Sequence, residues 1–270
     1  MYKFFQIFPP FKGKLRLARV LFGKYRTEKT FSVLGGITFV VPNLIENISF
    51  ELFVNGNYEV NSLKLISENL PQNGVFIDIG ANIGAISVIL AKQRPDITIH
   101  AFEASSSVFK YLELNRNLNN LTNLKIYNYA IHSVDDLELP FYSPADLNGK
   151  GSFSPVFTNV AQKVNTISLD TFFISNQIKP DFIKVDVEGF EALIMLSMNK
   201  FLSSNEKCKI LFEFVDWAET ASGFKCGEGQ EFLLNHNYQL QLLEENCNEN
   251  KQISFPITKG FAMIFASKKL

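Results

Sequence analysis

The chain is poor in the features that most often reveal a function. It has three cysteines in 270 residues, Cys208, Cys226 and Cys247. Their number is odd and no pair has metal-ligand spacing. That argues against a disulfide framework or a cysteine-held metal and for a reducing compartment. There is no excess of charge of either sign. The formal net charge is −1, so nothing electrostatic recommends nucleic acid as a partner. Long apolar runs are also missing, and none approaches the ~18 residues that span a bilayer. The apolar start, with Phe4, Phe5, Ile7, Phe8 and Phe11, is interrupted by Pro9-Pro10. No small-residue cleavage site follows it, so a secretory signal is not expected. A cytoplasmic chain is therefore expected.

What is present is core-forming material. Hydrophobic residues make up 46% of the chain and phenylalanine occurs 27 times, while charged residues account for 20%. This is the composition of a folded protein. The charge is unevenly spread. Seven basic residues, Lys3, Lys12, Lys14, Arg16, Arg19, Lys24 and Arg26, precede the first acid, Glu28, which leaves −8 for the rest. A basic, aromatic start of this kind suits peripheral contact of residues 1–26 with the inner membrane surface. A solvated basic face packed on the domain is the plain alternative.

The organisation follows from periodicity. A short helix is expected over Lys14–Phe22. A hairpin is expected over Phe31–Val41, turning at Gly35-Gly36. A strand is expected over Ile48–Val54 and a helix over Ser62–Asn69. Beyond these, strand patterns at 75–79, 97–103, 124–130, 181–186, 208–215, 238–244 and 260–267 alternate with helical ones. The helices fall at 84–94, 106–120, 166–176, 189–202 and 227–236. Such alternation implies a mostly parallel sheet with helices on both faces and right-handed crossovers. The last two strands lie close together in sequence, as an antiparallel pair at a sheet edge would. Asp135–Gln162 has little periodicity and is expected to be a functional loop, a lid or a substrate loop. The expected division is a small N-terminal extension, 1–60, and a main domain, 61–270.

The most informative stretch is V-F-I-D-I-G-A-N-I-G at 75–84. An apolar run ends in Asp78, then in a glycine-rich turn, then in a helix start. This strand, turn and helix N-terminus cradle nucleotide-like ligands. A dinucleotide fingerprint needs a middle glycine so that backbone can approach a pyrophosphate, and here that position is Asn82. Asp78 would repel a phosphate and welcome a cation. A second apolar run ends at Glu103, about 20 residues on, placed to accept hydrogen bonds from ribose hydroxyls. Adenosine, a cationic centre and no phosphate together describe S-adenosyl-L-methionine.

A third tip is P-D-F-I-K-V-D-V-E-G-F-E at 180–191. Asp186 closes a strand, so it is expected to face the same crevice as Asp78 and Glu103. Lys184, two residues earlier, shares its strand face and can pair with an acid there. Glu188 and Glu191 open the next helix, where acids also favour the dipole. Glu213 ends I-L-F-E-F, an apolar run in which an unpaired acid is costly. These acids, together with His132 and His236, are the available general bases. His132 follows the third strand, and an exposed loop histidine is its plain reading. His236, late in a helix, reads as a capping or surface residue. A divalent cation held by Asp186 and Glu188 lacks a third clear ligand, so no metal is expected.

These motifs, with A-F-E-A at 101–104, I-S-L-D-T-F at 167–172 and Gly56-Asn57-Tyr58-Glu59, resemble the FkbM family of S-adenosylmethionine-dependent methyltransferases. The likeness runs over roughly residues 52–245. One departure is Glu103-Ala104-Ser105, where the family usually has a proline after the glutamate. The resemblance implies a seven-stranded, Rossmann-like class I methyltransferase fold with an antiparallel strand at one edge. It also implies O-methylation of a sugar, polysaccharide or natural-product hydroxyl. The expected cofactor-binding residues are Glu59, Asp78, Gly80, Ala81, Asn82, Gly84, Glu103 and Ala130. Asp186, Glu188 and Glu213 are expected to be catalytic. The alternatives are an N-methyltransferase and a catalytically silent cofactor-binding scaffold.

Overall fold

The computed structural model describes residues 2–7, 11, 13–144, 151, 153, 155, 158–204, 207–243 and 251–268. Cys247, Phe8, Lys12 and part of the 135–162 segment lie outside the described residues. In chain order come α1 (Tyr2–Ile7), α2 (Lys14–Phe22), β1 (Lys29–Ser32), β2 (Thr38–Val41), α3 (Asn47–Asn55) and α4 (Val60–Asn69). Next are β3 (Val75–Ile79), α5 (Ser87–Gln93), β4 (Thr98–Phe102), α6 (Ser106–Leu118), β5 (Leu124–Tyr127), β6 (Ala130–Ile131), β7 (Glu138–Tyr142) and β8 (Ala161–Ile167). Then follow α7 (Leu169–Asn176), β9 (Phe182–Val185), α8 (Glu191–Ser197), α9 (Asn199–Ser203), β10 (Lys209–Val215) and α10 (Asp216–Ala221). The chain closes with α11 (Glu228–Asn235), β11 (Tyr238–Leu242), β12 (Lys251–Ile253) and β13 (Phe261–Lys268).

The main sheet runs β12-β11-β13-β10-β9-β3-β4-β5. Its β10-β9-β3-β4-β5 portion is parallel, and β13, β11 and β12 add antiparallel pairs at one side. All seven sequence-predicted strands form. The short β12 makes an eighth. Neighbouring side chains of β3 enter opposite layers, as a period of two requires. Phe76 packs with α5, α6 and the N-terminal segment. Ile77 and Ile79 pack with α7 and α8 on the other face. Ala18, Phe22, Phe31, Phe39, Phe50 and Phe53 belong to the same apolar cluster as Phe76 and Leu112.

Two expectations are corrected. Ile48–Val54 is helix α3, not a strand. Composition favoured a strand, but the ends decide. The Glu46 carboxylate accepts the Ser49 N–H at 2.9 Å, and Gly56 at φ 70° closes the C-terminus. The helical face then packs Phe53 edge-on to Phe22 and Phe31. The 135–162 segment is not structureless in its described part. Glu138–Tyr142 pairs antiparallel with Ala161–Ile167, and β6 joins them in a three-stranded sheet. The alternation in A-Q-K-V-N-T-I carries that strand, so α7 starts at Leu169, where Ser168 caps it by accepting the Thr171 N–H.

Candidate active site

The strand order reverses between β3 and β9, since the chain leaves β3 toward β4 and β5 and later returns to its other side. In open α/β sheets the carboxyl ends at such a switch point frame the ligand crevice. A cavity of about 300 Å³ lies there. Gly80 and Asn82 after β3, Glu103 after β4, Asp186 and Glu188 after β9, and Glu213 within β10 line it. The volume is at the lower end of the range for small-molecule sites.

Gly80 has φ 80°, and a Cβ there would stand 1.9 Å from the Asp186 carbonyl oxygen. Only glycine lets the two tips pass each other. The turn is tied to β4 as well. The N–H groups of Gly80 and Ala81 donate to the Phe102 carbonyl, at 3.0 and 2.9 Å. The Glu103 carboxylate accepts the N–H groups of Asn82, at 2.9 Å, and Ser105, at 2.8 Å. Burial pushes Glu103 up to about 7, while those two hydrogen bonds oppose the shift.

Below the cavity floor sits a charged cluster. Lys184 is only 3% exposed, donates to Asp186 Oδ2 at 2.8 Å and stands 3.9 Å from Glu59 Oε2. Burial alone would lower its pKa, but Asp186, Glu59 and Asp78 outweigh burial and raise it. The cation therefore persists and offsets part of the charge of three acids at the switch point. Asp78 is opposite Lys184 in the β3–β9 register. Burial pushes it up to about 6, against the pull of Lys184 and of the Ser87 hydroxyl, which donates to it at 2.5 Å. Two more acids are shifted further. Glu191 rises to about 8, mainly by burial. Glu213 rises to about 9, by burial first and then by the charges of Asp186, Glu188 and Glu191.

The expected site residues therefore divide. Gly80, Asn82, Glu103, Ala130, Asp186, Glu188 and Glu213 all line the cavity. Asp78, Glu59, Ala81 and Gly84 do not. The expectation that Asp78 faces the crevice is corrected, because it is 1% exposed beneath the wall. Glu59 turns toward Lys184. Gly84 packs inward, where a Cβ would meet Leu112 and Val88 at 2.8 Å. The histidines stay away from the lining. His132 Nδ1 accepts the Val134 N–H, and His236 caps α11 with Nδ1 on the Phe232 carbonyl oxygen. Among the described residues no three His, Cys, Asp or Glu side chains could hold a metal ion.

The sequence reading missed much of the wall. Glu46, Asn47 and Ile48 contribute from the start of α3, and Tyr58, Tyr129, Phe141, Phe153 and Phe190 add aromatic surface. Phe153 sits edge-on to Phe141 at 5.4 Å and to Phe190 at 5.2 Å. Tyr58 was within the quoted Gly56–Glu59 element, but only its acid was carried forward.

The described lining holds five carboxylates, Glu46, Glu103, Asp186, Glu188 and Glu213, and no Lys, Arg or His. This donor set fits a hydroxyl-bearing adenosine with a cationic centre and opposes a pyrophosphate.

Residues 78–240 match the family model described as methyltransferase FkbM domain. The hexuronic acid methyltransferase AglP of Haloferax volcanii is 27% identical over 147 residues, covering 54% of this chain and 59% of that protein. The chain thus spans less than two thirds of that relative. Methyltransferase 1 of Beauveria bassiana is 23% identical over 175 residues, covering 57% of this chain and 68% of that one. Among solved structures, a precorrin-6y C5,15-methyltransferase from Geobacter metallireducens is 15% identical with a TM-score of 0.45, covering 78% and 87% of the two chains.

Proposed function

This chain belongs to the FkbM methyltransferase family, and from that premise we propose that it transfers a methyl group from S-adenosylmethionine to a hydroxyl of a sugar, polysaccharide or natural-product acceptor. The observation that carries this reading is the cation-free lining, acidic at the tips after β4 and β9 and within β10. The transferase unit is residues 61–270, and the 1–60 extension lends Glu46 and Tyr58 to the wall.

The roles follow from position. Glu103 accepts the ribose hydroxyls. Gly80, Ala81, Asn82 and Gly84 shape the turn around the adenosine, and Ala130 flanks it. Asp78 and Glu59 act from below through Lys184. When bound, the cofactor supplies an electrophilic methyl group on a sulfonium. Asp186 and Glu188 meet the acceptor hydroxyl at the mouth, and one of them takes the single proton it loses. Glu213, pushed up to about 9, keeps its proton at neutral pH and serves as a hydrogen-bond donor.

The acceptor is a neutral hydroxyl compound. The hexuronic acid methyltransferase relative supports a sugar. The described wall, however, carries no cation to hold a uronate carboxylate. A second reading, transfer to an amine nitrogen, draws on the same acidic lining, whose ionised carboxylates suit an ammonium. Release of S-adenosylhomocysteine with neutral sugars, uronates and amines separates these readings. Absence of release in all three classes, together with absent cofactor binding, would overturn the transferase reading.

Cofactor affinity is expected to rise with pH and level off above about 7. Glu103 ionises at about 7 in the free protein, and its charged form accepts ribose hydroxyls better. Binding therefore drives proton loss below that pH and none above it. The same shift makes Glu103 favour the free folded state fully below about 4.5, a contribution lost as pH rises through about 7. Glu103→Gln should bind about 10- to 100-fold more weakly, the range for charge-assisted hydrogen bonds of about 1.5–3 kcal/mol, and the pH step should flatten. Titration calorimetry from pH 5 to 9 measures both, and an unchanged step in the variant sinks the ribose role.

A further inference from the structure

We propose that the outer face of α1 and α2 docks on an anionic membrane surface. The inner face of α2 is an ordinary packing stripe, with Lys14, Ala18 and Phe22 buried at successive i,i+4 positions. The outward face of a surface helix is normally polar. Here Leu17, Val20 and Leu21 share it at i, i+3 and i+4, and Val20 is 71% exposed. Ile7 on α1 is 78% exposed, and Phe4 on α1 and Tyr25 just after α2 are exposed as well. Single exposed apolar residues need no explanation, but a run of them on one segment does.

Charge selects the occupant. Lys3, Arg16, Lys24 and Arg26 are exposed around these side chains, and no acid precedes Glu28. Apolar side chains set among cations match a bilayer that carries anionic headgroups. A second copy of the chain would bring like charges face to face, so self-association is disfavoured. Among the described residues no helix is long and apolar enough to cross a membrane, so the helices lie on the surface.

The face is bolted to the cavity wall. Arg19 donates to the Leu44 and Ile45 carbonyls at 3.3 and 2.8 Å and to Asn47 Oδ1 at 3.0 Å, and its guanidinium stacks 3.8 Å from the Phe50 ring centroid. Glu46, Asn47 and Ile48, which follow directly, line the cavity. A docked molecule therefore holds that wall beside the lipid surface. The docking itself stands independently of the transferase reading.

Flotation of the full chain with phosphatidylcholine vesicles, with and without phosphatidylglycerol, tests this. Binding to the anionic vesicles should be at least about tenfold stronger, since each surface Lys or Arg adds about one kcal/mol and tenfold is about 1.4. It should weaken at high salt. The triple variant Leu17→Glu, Val20→Glu, Leu21→Glu changes only exposed positions. It should keep its circular dichroism and melting temperature and lose flotation. Three results overturn the proposal: equal flotation of wild type and variant, no preference for anionic vesicles, or a wild-type dimer in sedimentation velocity that the variant converts to monomer.

Discussion

Gly80→Ala is expected to destabilise the protein by several kcal/mol and to remove cofactor binding. The added Cβ lands 1.9 Å from the Asp186 carbonyl oxygen, which is backbone and has no rotamer to escape into. The residue must also keep φ near 80°, a conformation that costs an L-residue about 1–2 kcal/mol. Gly36→Ala separates these effects. Gly36 has φ 73° and no neighbour within 4 Å of a built Cβ, so only the same conformational cost of about 1–2 kcal/mol applies. Thermal melting should therefore show a clearly larger drop for Gly80→Ala, and calorimetry should show cofactor binding lost only there. Equal melting shifts, or retained binding in Gly80→Ala, would remove Gly80 from the crossing of the two strand tips.

The second expected result concerns turnover. Asp186→Asn and Glu188→Gln should each lower kcat by about 10² or more, the scale of a lost general base, while cofactor affinity changes little. Glu213→Gln should stay within about tenfold of wild type at pH 7, since its acid is pushed up to about 9 and an amide resembles a protonated carboxyl. Single-turnover assays beside calorimetry measure the separation. Asp186→Asn also replaces the charged partner that Lys184 has at 2.8 Å by a neutral amide, so its melting temperature must be read alongside. Near wild-type kcat in both Asp186→Asn and Glu188→Gln would move the chemistry elsewhere. A collapse in Glu213→Gln alone would make that residue the proton acceptor.

The pKa pattern explains why residue type alone could not rank these acids. Asp186 and Glu188 follow β9 and Glu213 lies within β10, and as residue types in apolar strand contexts the three look alike in the sequence. Burial, and then the charges of Asp186, Glu188 and Glu191, push Glu213 up to about 9. That depends on how closely β9 and β10 approach, and no local motif encodes the distance. The same holds for Tyr58 and Glu59. The pair is adjacent in sequence, yet Tyr58 faces the cavity and Glu59 faces Lys184. Glu59 takes a left-handed φ of 42° as the N-cap of α4, and its carboxylate also holds the Tyr58 hydroxyl by a side-chain hydrogen bond.

By itself the sequence determined the alternation of strands and helices, the glycine-rich turn after β3, the acids at the tips of β4 and β9, a lysine on β9 placed to pair with an acid, and the family. Each is written in short-range patterns: apolar periodicity, glycine where backbone must turn, and an acid at a strand's end. Tertiary structure alone decided that Asp78 is buried below the floor, that Ile48–Val54 is a capped helix whose start walls the cavity, and that β7 and β8 bring Phe141 and Phe153 over it. These are contacts between segments far apart in the chain. Their energy comes from burial and charge proximity, which exist only once the layers have packed.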